Sequence, residues 1–318
     1  MTAPFSNRVK ITSVEQITPL IKHFKFERID GEPFLPYSSG SHVVVSMKND
    51  DESHKNPYSL VGSSNNYMQY QIAVRLEDNG RGGSKFMHTQ VEIGTELEIG
   101  NPYNLFPVYK IARKHLLIAG GVGITPFMTY IDEMDMTKGN FELHYATRDK
   151  SHAAFAEELL ERHPKSVKLY HDDQGPKLDI NALLNDQPLG THVYVCGPKG
   201  MVDAVLKVAN ELCWPETSIH SEEFKAPETG KPFTVRLHKS QRNIEVTEKE
   251  TLLEALEKAD IEIPYSCRGG ACGFCKTVVV EGDIDHRDYF LTDEEKESGK
   301  CMMPCISRVN GDNLVLDL

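Results

Sequence analysis

The segment Cys267-Arg268-Gly269-Gly270-Ala271-Cys272-Gly273-Phe274-Cys275, followed after twenty-nine intervening residues by Cys305, constrains this chain more than any other feature. A C-x4-C-x2-C run plus one distant cysteine is the plant-type arrangement for a [2Fe-2S] cluster, two thiolates to each iron. A short loop presents three sulfurs, and a side chain from elsewhere must close the fourth position; Cys305 is the expected closer. Gly269, Gly270, Ala271 and Gly273 keep the loop's side chains minimal, so its backbone can approach the cluster and aim N–H groups at the sulfurs. Structural zinc is the alternative, but zinc frameworks usually read as two C-x2-C-like pairs, and only Cys272 and Cys275 make one near the loop. Cys301, in Cys301-Met302-Met303-Pro304-Cys305, competes for the fourth position; it is read as a spare thiol, with ligand exchange left open.

At 318 residues and 39% hydrophobic content the chain exceeds one ordinary domain and has material for two or three cores. Seven cysteines, an odd number with four committed to a cluster, point to a reducing compartment rather than a disulfide framework. Met1-Thr2-Ala3-Pro4-Phe5-Ser6-Asn7-Arg8 leads into no apolar h-region, and no run of about eighteen apolar residues follows, so a cytoplasmic protein with no membrane association is expected. The formal charge of -12 argues against nucleic acid as a partner. From Phe233 onward 17 Asp and Glu stand against 11 Lys and Arg, a balance of -6. That acidity is either an ordinary solvated surface or, at Asp293-Glu294-Glu295, a means of steering this module to a basic face on a redox partner.

The first hundred residues read as short strands between turn residues: Val9–Ile11, Lys22–Glu27, His42–Met47, Tyr70–Leu76 and Thr95–Ile99. A small antiparallel barrel is the economical arrangement. Within it, Asn56-Pro57-Tyr58-Ser59-Leu60 offers an aromatic face and a hydroxyl just after a proline turn. Gly80-Arg81-Gly82-Gly83-Ser84 offers flexible backbone, a cation and a hydroxyl, a set that suits a phosphate but is equally an ordinary turn.

From His115 strands and helices alternate. His115–Ala119 is a buried strand, and Gly120-Gly121-Val122-Gly123-Ile124-Thr125-Pro126 opens an apolar helix to Met134. Phe141–Tyr145, Val167–Tyr170 and His192–Cys196 continue the strands, and Ala153–Arg162 and Met201–Leu212 read as helices, which is a parallel sheet with crossovers. Glycines at such a junction let backbone N–H groups and a helix N-terminus meet a pyrophosphate, although Pro126 replaces the final residue of the usual G-x-G-x-x-G. Cys196-Gly197-Pro198-Lys199-Gly200 ends another strand at the same edge. After the polar, turn-rich stretch at 225–232, Phe233–Leu237, Val278–Val280 and Leu314–Leu318 read as strands, with a helix at Thr251–Lys258.

With Tyr58-Ser59-Leu60, Gly80-Arg81-Gly82-Gly83-Ser84, Gly120–Pro126, Cys196-Gly197-Pro198, Glu223-Phe224 and the four cluster cysteines in this order, the whole chain resembles the phthalate dioxygenase reductase family, the flavin and iron-sulfur reductases of Rieske oxygenase systems. The resemblance implies a multidomain α/β and β architecture. A flavin-binding antiparallel β-barrel would occupy 1–110, a doubly wound parallel-sheet NAD domain 111–225, a linker 226–232 and a C-terminal β-grasp, plant-type ferredoxin domain 233–318. It implies FMN as the flavin, with Tyr58 and Ser59 at the isoalloxazine and Ser84 and Thr125 near the phosphate. Asn56, Leu60, Ala73, Val74, Arg81, Gly82 and Gly83 complete the cofactor-binding set on the barrel. Gly120, Gly121, Gly123, Pro126, Arg148, Asp149, Gly197 and Pro198 supply it on the nucleotide domain. Phe224 is expected against the ring where nicotinamide enters and Cys196 beside the nicotinamide; with Ser59 they form the expected catalytic set.

The family commonly carries Arg where this chain has Asn56, a lost guanidinium for which Arg81 or Lys55 would have to compensate. Asn56-Pro57-Tyr58-Ser59-Leu60 is similar to a branch of the family whose oxygenase cleaves carnitine to trimethylamine and malic semialdehyde. The implied reaction is hydride transfer from NADH to the flavin, then single-electron transfer through the cluster to a Rieske-type oxygenase in a transient complex. Asp149 would repel a 2'-phosphate and favours NADH, with Arg148 beside it acting the other way. Two alternatives are a reductase feeding another oxygenase or a soluble ferredoxin, and a redox-sensing iron-sulfur protein with no enzyme activity.

Overall fold

The structure, a computed structural model, describes residues 7–49, 53–224, 228 and 230–318. They fall into two compact units, Asn7–Phe224 and the C-terminal residues ending at Leu318. Positions 226, 227 and 229 of the expected linker lie outside the described residues.

In the first unit, apolar–polar alternation yields the strands β1 (Asn7–Thr18), β2 (Ile21–Arg28), β3 (Ser41–Lys48), β4 (Ser53–Ser59), β5 (Tyr70–Arg75), β6 (Glu96–Ile99) and β7 (Tyr103–Asn104). They pair antiparallel in the order β4-β3-β6-β1-β2-β5, with β7 on β3. A bridge between Leu60 and Ile72 joins the two ends of that order, so the expected barrel closes. Phe24, Val43, Leu60, Ile72 and Val74 fill its core, together with Phe86 and Met87 of the seven-residue helix α1 (Gly83–Thr89). Two details differ from the sequence-based expectation. Gly82-Gly83-Ser84 opens α1 instead of lying in a plain turn. Pro57 stands inside β4, opposite Val44, instead of in a turn before it. Proline is tolerated there because β4 lies at the end of the strand order and owes few ladder bonds.

The same unit continues as β8 (Lys114–Gly120), α2 (Thr125–Thr137), β9 (Phe141–Thr147), α3 (Ala156–Arg162), β10 (Val167–His171), α4 (Ile180–Asn185), β11 (Thr191–Cys196), α5 (Lys199–Glu211) and β12 (Ile219–Glu222). The strands are all parallel, in the order β10-β9-β8-β11-β12. Leu117, Leu143 and Tyr194 pack against Phe127 and Ile131 of α2 on one face. Leu116, Ile118, Val193 and Val195 pack against Leu184 of α4 and Val202 and Val205 of α5 on the other. The sheet is therefore doubly wound, and its order reverses between β8 and β11, where open parallel sheets take their ligands.

The second unit contains β13 (Phe233–Leu237), β14 (Asn243–Val246), α6 (Leu252–Lys258), β15 (Thr277–Glu281), β16 (Ile284–Asp285), α7 (Asp293–Ser298), β17 (Cys301–Met302), β18 (Arg308–Val309) and β19 (Asn313–Leu316). Its main sheet runs β14-β13-β19-β15-β17, parallel only between β13 and β19, and α6 buries Leu252, Leu253 and Leu256 in its core, the β-grasp plan. Capping boxes, Thr251 with Glu254 and Thr292 with Glu295, fix the starts of α6 and α7. Glu295 also pairs with Lys276, so Asp293 and Glu294 are the fully exposed members of the acidic triplet. No helix among the described residues is long and apolar enough to cross a membrane.

Candidate functional site

The carboxyl ends of β8 and β11 press on each other, and this contact decides what their glycines do. A Cβ on Gly123 would lie 2.1 Å from the Cys196 carbonyl oxygen, and one on Gly120 would lie 2.6 Å from Pro198 Cδ. Both glycines permit this close packing. Gly121, at φ +54° with nothing within 4 Å of its missing Cβ, is the one that faces open space, and its carbonyl accepts from Tyr145 Oη at 3.1 Å. Thr125 is buried and its hydroxyl donates to the Val122 carbonyl at 2.9 Å, which anchors the start of α2 with Pro126 in the first turn.

On the barrel, Ser59 is buried and lies opposite His42 of β3 in register. Burial presses the His42 imidazole down to about 4, and its Nε2 has no hydrogen-bond partner. Tyr58 is half-buried, its phenol pushed up to about 12 by burial, and Asn56 Nδ2 donates to its Oη at 3.3 Å. The loop into α1 lies directly on β4: a Cβ on Gly83 would meet Asn56 Nδ2 at 2.4 Å, and one on Gly82 would meet His54 Cε1 at 2.6 Å. Ser84 Oγ accepts from Glu77 N at 3.1 Å, while Arg81 is half-buried. Leu60, Ala73 and Val74 are buried; Ala73 belongs to the core shared with α2, and Leu60 and Val74 to the barrel interior.

Cys196 is fully buried, and burial first, then Glu222, pushes its thiol well above the ordinary range. Glu222 is its register partner on β12. The Glu222 residue is partly exposed, but its Oε2 is shielded from solvent and has no partner, and desolvation raises the carboxyl to about 8. Phe224, 49% exposed, follows directly after this strand. Asp149 is already engaged: it accepts from Ser151 N at 2.8 Å and His152 N at 3.2 Å, and His152 then Ser151 hold its carboxyl at about 2. The Arg148 carbonyl accepts from Asp172 N at 3.1 Å. A cleft of about 900 Å³ lies between His23, Lys25 and Gln71 of the barrel and Met128, Lys150 and Phe155, and none of the expected site residues lines it.

In the second unit the cluster loop is tightly determined. Gly269 N and Ala271 N donate to Cys267 Sγ at 3.4 and 3.3 Å. The Cys272 thiol and then these amides draw Cys267 down to about 5, toward the thiolate a metal needs. Cys275 is likewise lowered by the Cys305 thiol that hydrogen-bonds to it. The four sulfurs thus stand as two pairs, Cys267 with Cys272 and Cys275 with Cys305. Among the described residues no group of three or more His, Cys, Asp or Glu is placed to hold one metal ion, whereas two pairs suit a binuclear cluster. Gly270 at φ +81° and Gly273 at φ +78° have no room for a Cβ, which would lie 2.7 Å from Ile306 Cγ2 and 2.2 Å from Phe290 Cζ. Arg268, itself at positive φ, is buried in a double hydrogen bond to Glu257 at 2.9 and 2.8 Å, with its guanidinium 4.7 Å from the Tyr265 ring. The Cys301 thiol is raised by burial, and its charged neighbours are Lys276, Glu295 and Asp288.

Three family models match successive stretches of the chain: an oxidoreductase FAD-binding domain over 8–107, the N-terminal domain of dimethylamine monooxygenase subunit DmmA-like proteins over 100–219, and a 2Fe-2S iron-sulfur cluster binding domain over 235–310. The carnitine monooxygenase reductase subunit of Acinetobacter pittii is 47% identical, covering 96% of this chain and 100% of that protein. The haem-dependent oxidative N-demethylase beta subunit of Ectopseudomonas mendocina is 41% identical, covering 98% of each. The solved structure of phthalate dioxygenase reductase superposes with a TM-score of 0.86 at 36% identity, covering 98% of each chain. The chain belongs to the phthalate dioxygenase reductase family.

As a member of that family it is an oxidoreductase of the flavin and [2Fe-2S] type. Its own residues fit both groups. His42 Nε2 opposite Ser59 and Glu222 Oε2 opposite Cys196 lack hydrogen-bond partners and Gly121 faces open space, so each leaves room for a polar group of a ligand. Two facing thiol pairs under amide N–H groups fit the cluster. His42 and Glu222 are the two groups that the sequence left unread. His42 looked like one polar residue in an alternating strand, and Glu222 was masked by the adjacent Glu223-Phe224; only the strand pairing shows what each faces.

Proposed function

We propose that this chain is the NADH-oxidising reductase of a two-component oxygenase, with FMN at the junction of barrel and parallel sheet and a [2Fe-2S] cluster held by Cys267, Cys272, Cys275 and Cys305. Its partner is a Rieske-type oxygenase that cleaves carnitine. The observation that carries this reading is end-to-end likeness to carnitine monooxygenase reductase subunits from Acinetobacter and Escherichia coli, across all the modules. A bound flavin would supply the conversion of a two-electron hydride donor into single electrons. The residues around it then have distinct tasks. Ser59 offers a hydroxyl next to a neutral imidazole, Tyr58 an aromatic face whose phenol Asn56 holds, and Gly82 and Gly83 backbone without side-chain bulk. Cys196 and Glu222 present two protonated groups at the nicotinamide side. Asp149 keeps its negative charge, which disfavours a 2'-phosphate and supports NADH, but its oxygens already cap the turn that follows.

The test is reconstitution of the purified reductase with a carnitine-cleaving oxygenase, measuring trimethylamine formed per NADH. Coupled product formation supports the reading; NADH oxidation without product overturns the choice of partner. A second reading is favoured by the N-demethylase relative and the DmmA-like match: an acceptor that is a haem-dependent amine oxygenase. Formaldehyde production with such a partner, and none with the Rieske oxygenase, would select it.

A further inference from the structure

We infer that His152 sets the nucleotide preference through Asp149: beside a neutral His152 the carboxylate rejects a 2'-phosphate, and beside a protonated one it admits it, the outer ring N–H then offering the phosphate a donor. This rests on the NADH-oxidising function proposed above. An acidic residue just past the strand that neighbours the glycine junction is the usual partner of a ribose 2' position. Ala146 of β9 pairs with Gly120 of β8, so the chain leaves β9 toward Asp149 at the edge where Gly121 faces open space. Tyr145 Oη ties the two strand ends together through the Gly121 carbonyl, at 3.1 Å.

The two Asp149 oxygens differ. Oδ1 accepts from Ser151 N at 2.8 Å, Ser151 Oγ at 2.7 Å, His152 N at 3.2 Å and His152 Nδ1 at 2.9 Å, which saturates it. Oδ2 has His152 Nδ1, at 2.9 Å, as its sole hydrogen-bond partner among the described residues. Both side chains are partly exposed, so Oδ2 and its histidine are the parts of this turn open to a ligand. The carboxyl is held at about 2, first by His152, and a carboxylate only accepts, so Nδ1 carries a proton. A second proton on the ring therefore arrives at Nε2, which makes no hydrogen bond among the described residues. Imidazole is the side chain that changes charge between about pH 5 and 8. The pair is an anion with the ring neutral and has no net charge with it protonated, against a 2'-phosphate that brings about -1.5 to -2. The other charged groups around the turn are Arg148 and Lys150 on it, Glu157 and Glu158 in the first turn of α3, and His171, Asp172 and Asp173 at the end of β10. Asp172 N and Asp173 N donate to the Arg148 carbonyl, and His171 Nδ1 lies 2.8 Å from Thr147 Oγ1; His152 is the one that pairs with Asp149.

The experiment uses the full-length protein with its cofactors bound. Titration calorimetry with 2',5'-ADP and with 5'-AMP gives an affinity ratio that isolates the 2'-phosphate without any redox step. From about pH 8 to about pH 6 the wild-type ratio should rise about tenfold more than that of His152→Gln, whose amide still donates to Asp149 but does not titrate. The phosphate's own second ionisation, at about pH 6, is common to both proteins and cancels. His152→Lys, charged throughout, should raise the ratio at about pH 8 about tenfold, and kcat/KM for NADPH over NADH with it. A histidine that merely holds the turn would weaken both fragments alike and leave the ratio and its pH dependence unmoved. The same pH dependence in wild type and His152→Gln would overturn the inference, as would a wild type that oxidises NADH yet binds the two fragments equally at each pH. If NADH is not oxidised while the ratio shifts as expected, the reductase reading fails and the inference stands. If His152→Gln does not fold, the ratio in His152→Lys at about pH 8 decides, and a wild-type value there overturns the inference.

Discussion

Cys196 and Glu222 face each other across the parallel pair β11 and β12, a fully buried thiol beside a carboxyl oxygen with no hydrogen-bond partner. Burial disfavours the charged form of each, so both stay protonated at neutral pH.

That pairing predicts a pH dependence of stability. With its carboxyl near 8 in the folded chain against about 4.5 when unfolded, Glu222 binds more protons in the native state throughout that interval. Its contribution is present in full below the unfolded value and is lost as pH rises through the folded one, at up to about 1.4 kcal/mol per pH unit. Denaturant unfolding from pH 5 to 9 should show this slope in wild type and its absence in Glu222→Gln. An equal slope in the variant would assign it to another group.

The cluster assignment predicts that Cys305→Ser loses iron and visible absorbance while Cys301→Ser keeps both, since the charged neighbours of Cys301 include none of the other thiols. Iron content per chain is the measurement. Loss of iron in Cys301→Ser alone would exchange their roles.

Gly273 and Phe290 form a strict contact, and Gly273→Ala adds a methyl at positive φ where a ring already lies. The expected cost is about 1–3 kcal/mol of unfolding free energy. Phe290→Ala should recover the part due to the clash and leave the part due to φ, so a double-mutant cycle separates them. Full additivity would mean that the two residues do not touch.

Arg268 and Glu257 tie the cluster loop to α6. Glu257→Ala leaves a buried guanidinium with the more distant Glu254 carboxylate at 3.9 Å and the Tyr265 ring, at an expected cost of about 3 kcal/mol. Removing both charges, as Arg268→Met with Glu257→Leu, should cost less than the single change; chemical denaturation compares them.

For nucleotide choice, Asp149→Asn keeps an oxygen for the Ser151 and His152 amides but removes the charge. We expect kcat/KM with NADPH to rise about fivefold relative to NADH. An unchanged ratio would place Asp149 away from the 2' position.

The antiparallel barrel and the parallel sheet with crossovers were legible because each rests on a periodic pattern and on turn residues local in sequence, whereas double winding and the β-grasp plan entered only as what the family resemblance implies. The cysteine spacing of the 2Fe-2S domain was legible for the same reason, being local in sequence. What escaped were features created by pairing between distant strands. His42 gains meaning only opposite Ser59, and Glu222 only opposite Cys196. Pro57 read as a turn because nothing local shows that β4 ends the strand order. That Gly120 and Gly123 make room for Pro198 and Cys196 was equally out of reach, because the contact joins the ends of two strands far apart in sequence. Helix α1 was too short, at seven residues, to show a period.

In the proposed function, one chain joins a two-electron donor to a one-electron carrier. Anaerobic titration of the purified protein with NADH, following flavin and iron-sulfur absorbance together, tests it most directly. Both should bleach, with about three electrons taken up per chain. Bleaching of the flavin alone, or no bleaching with NADH, would contradict it.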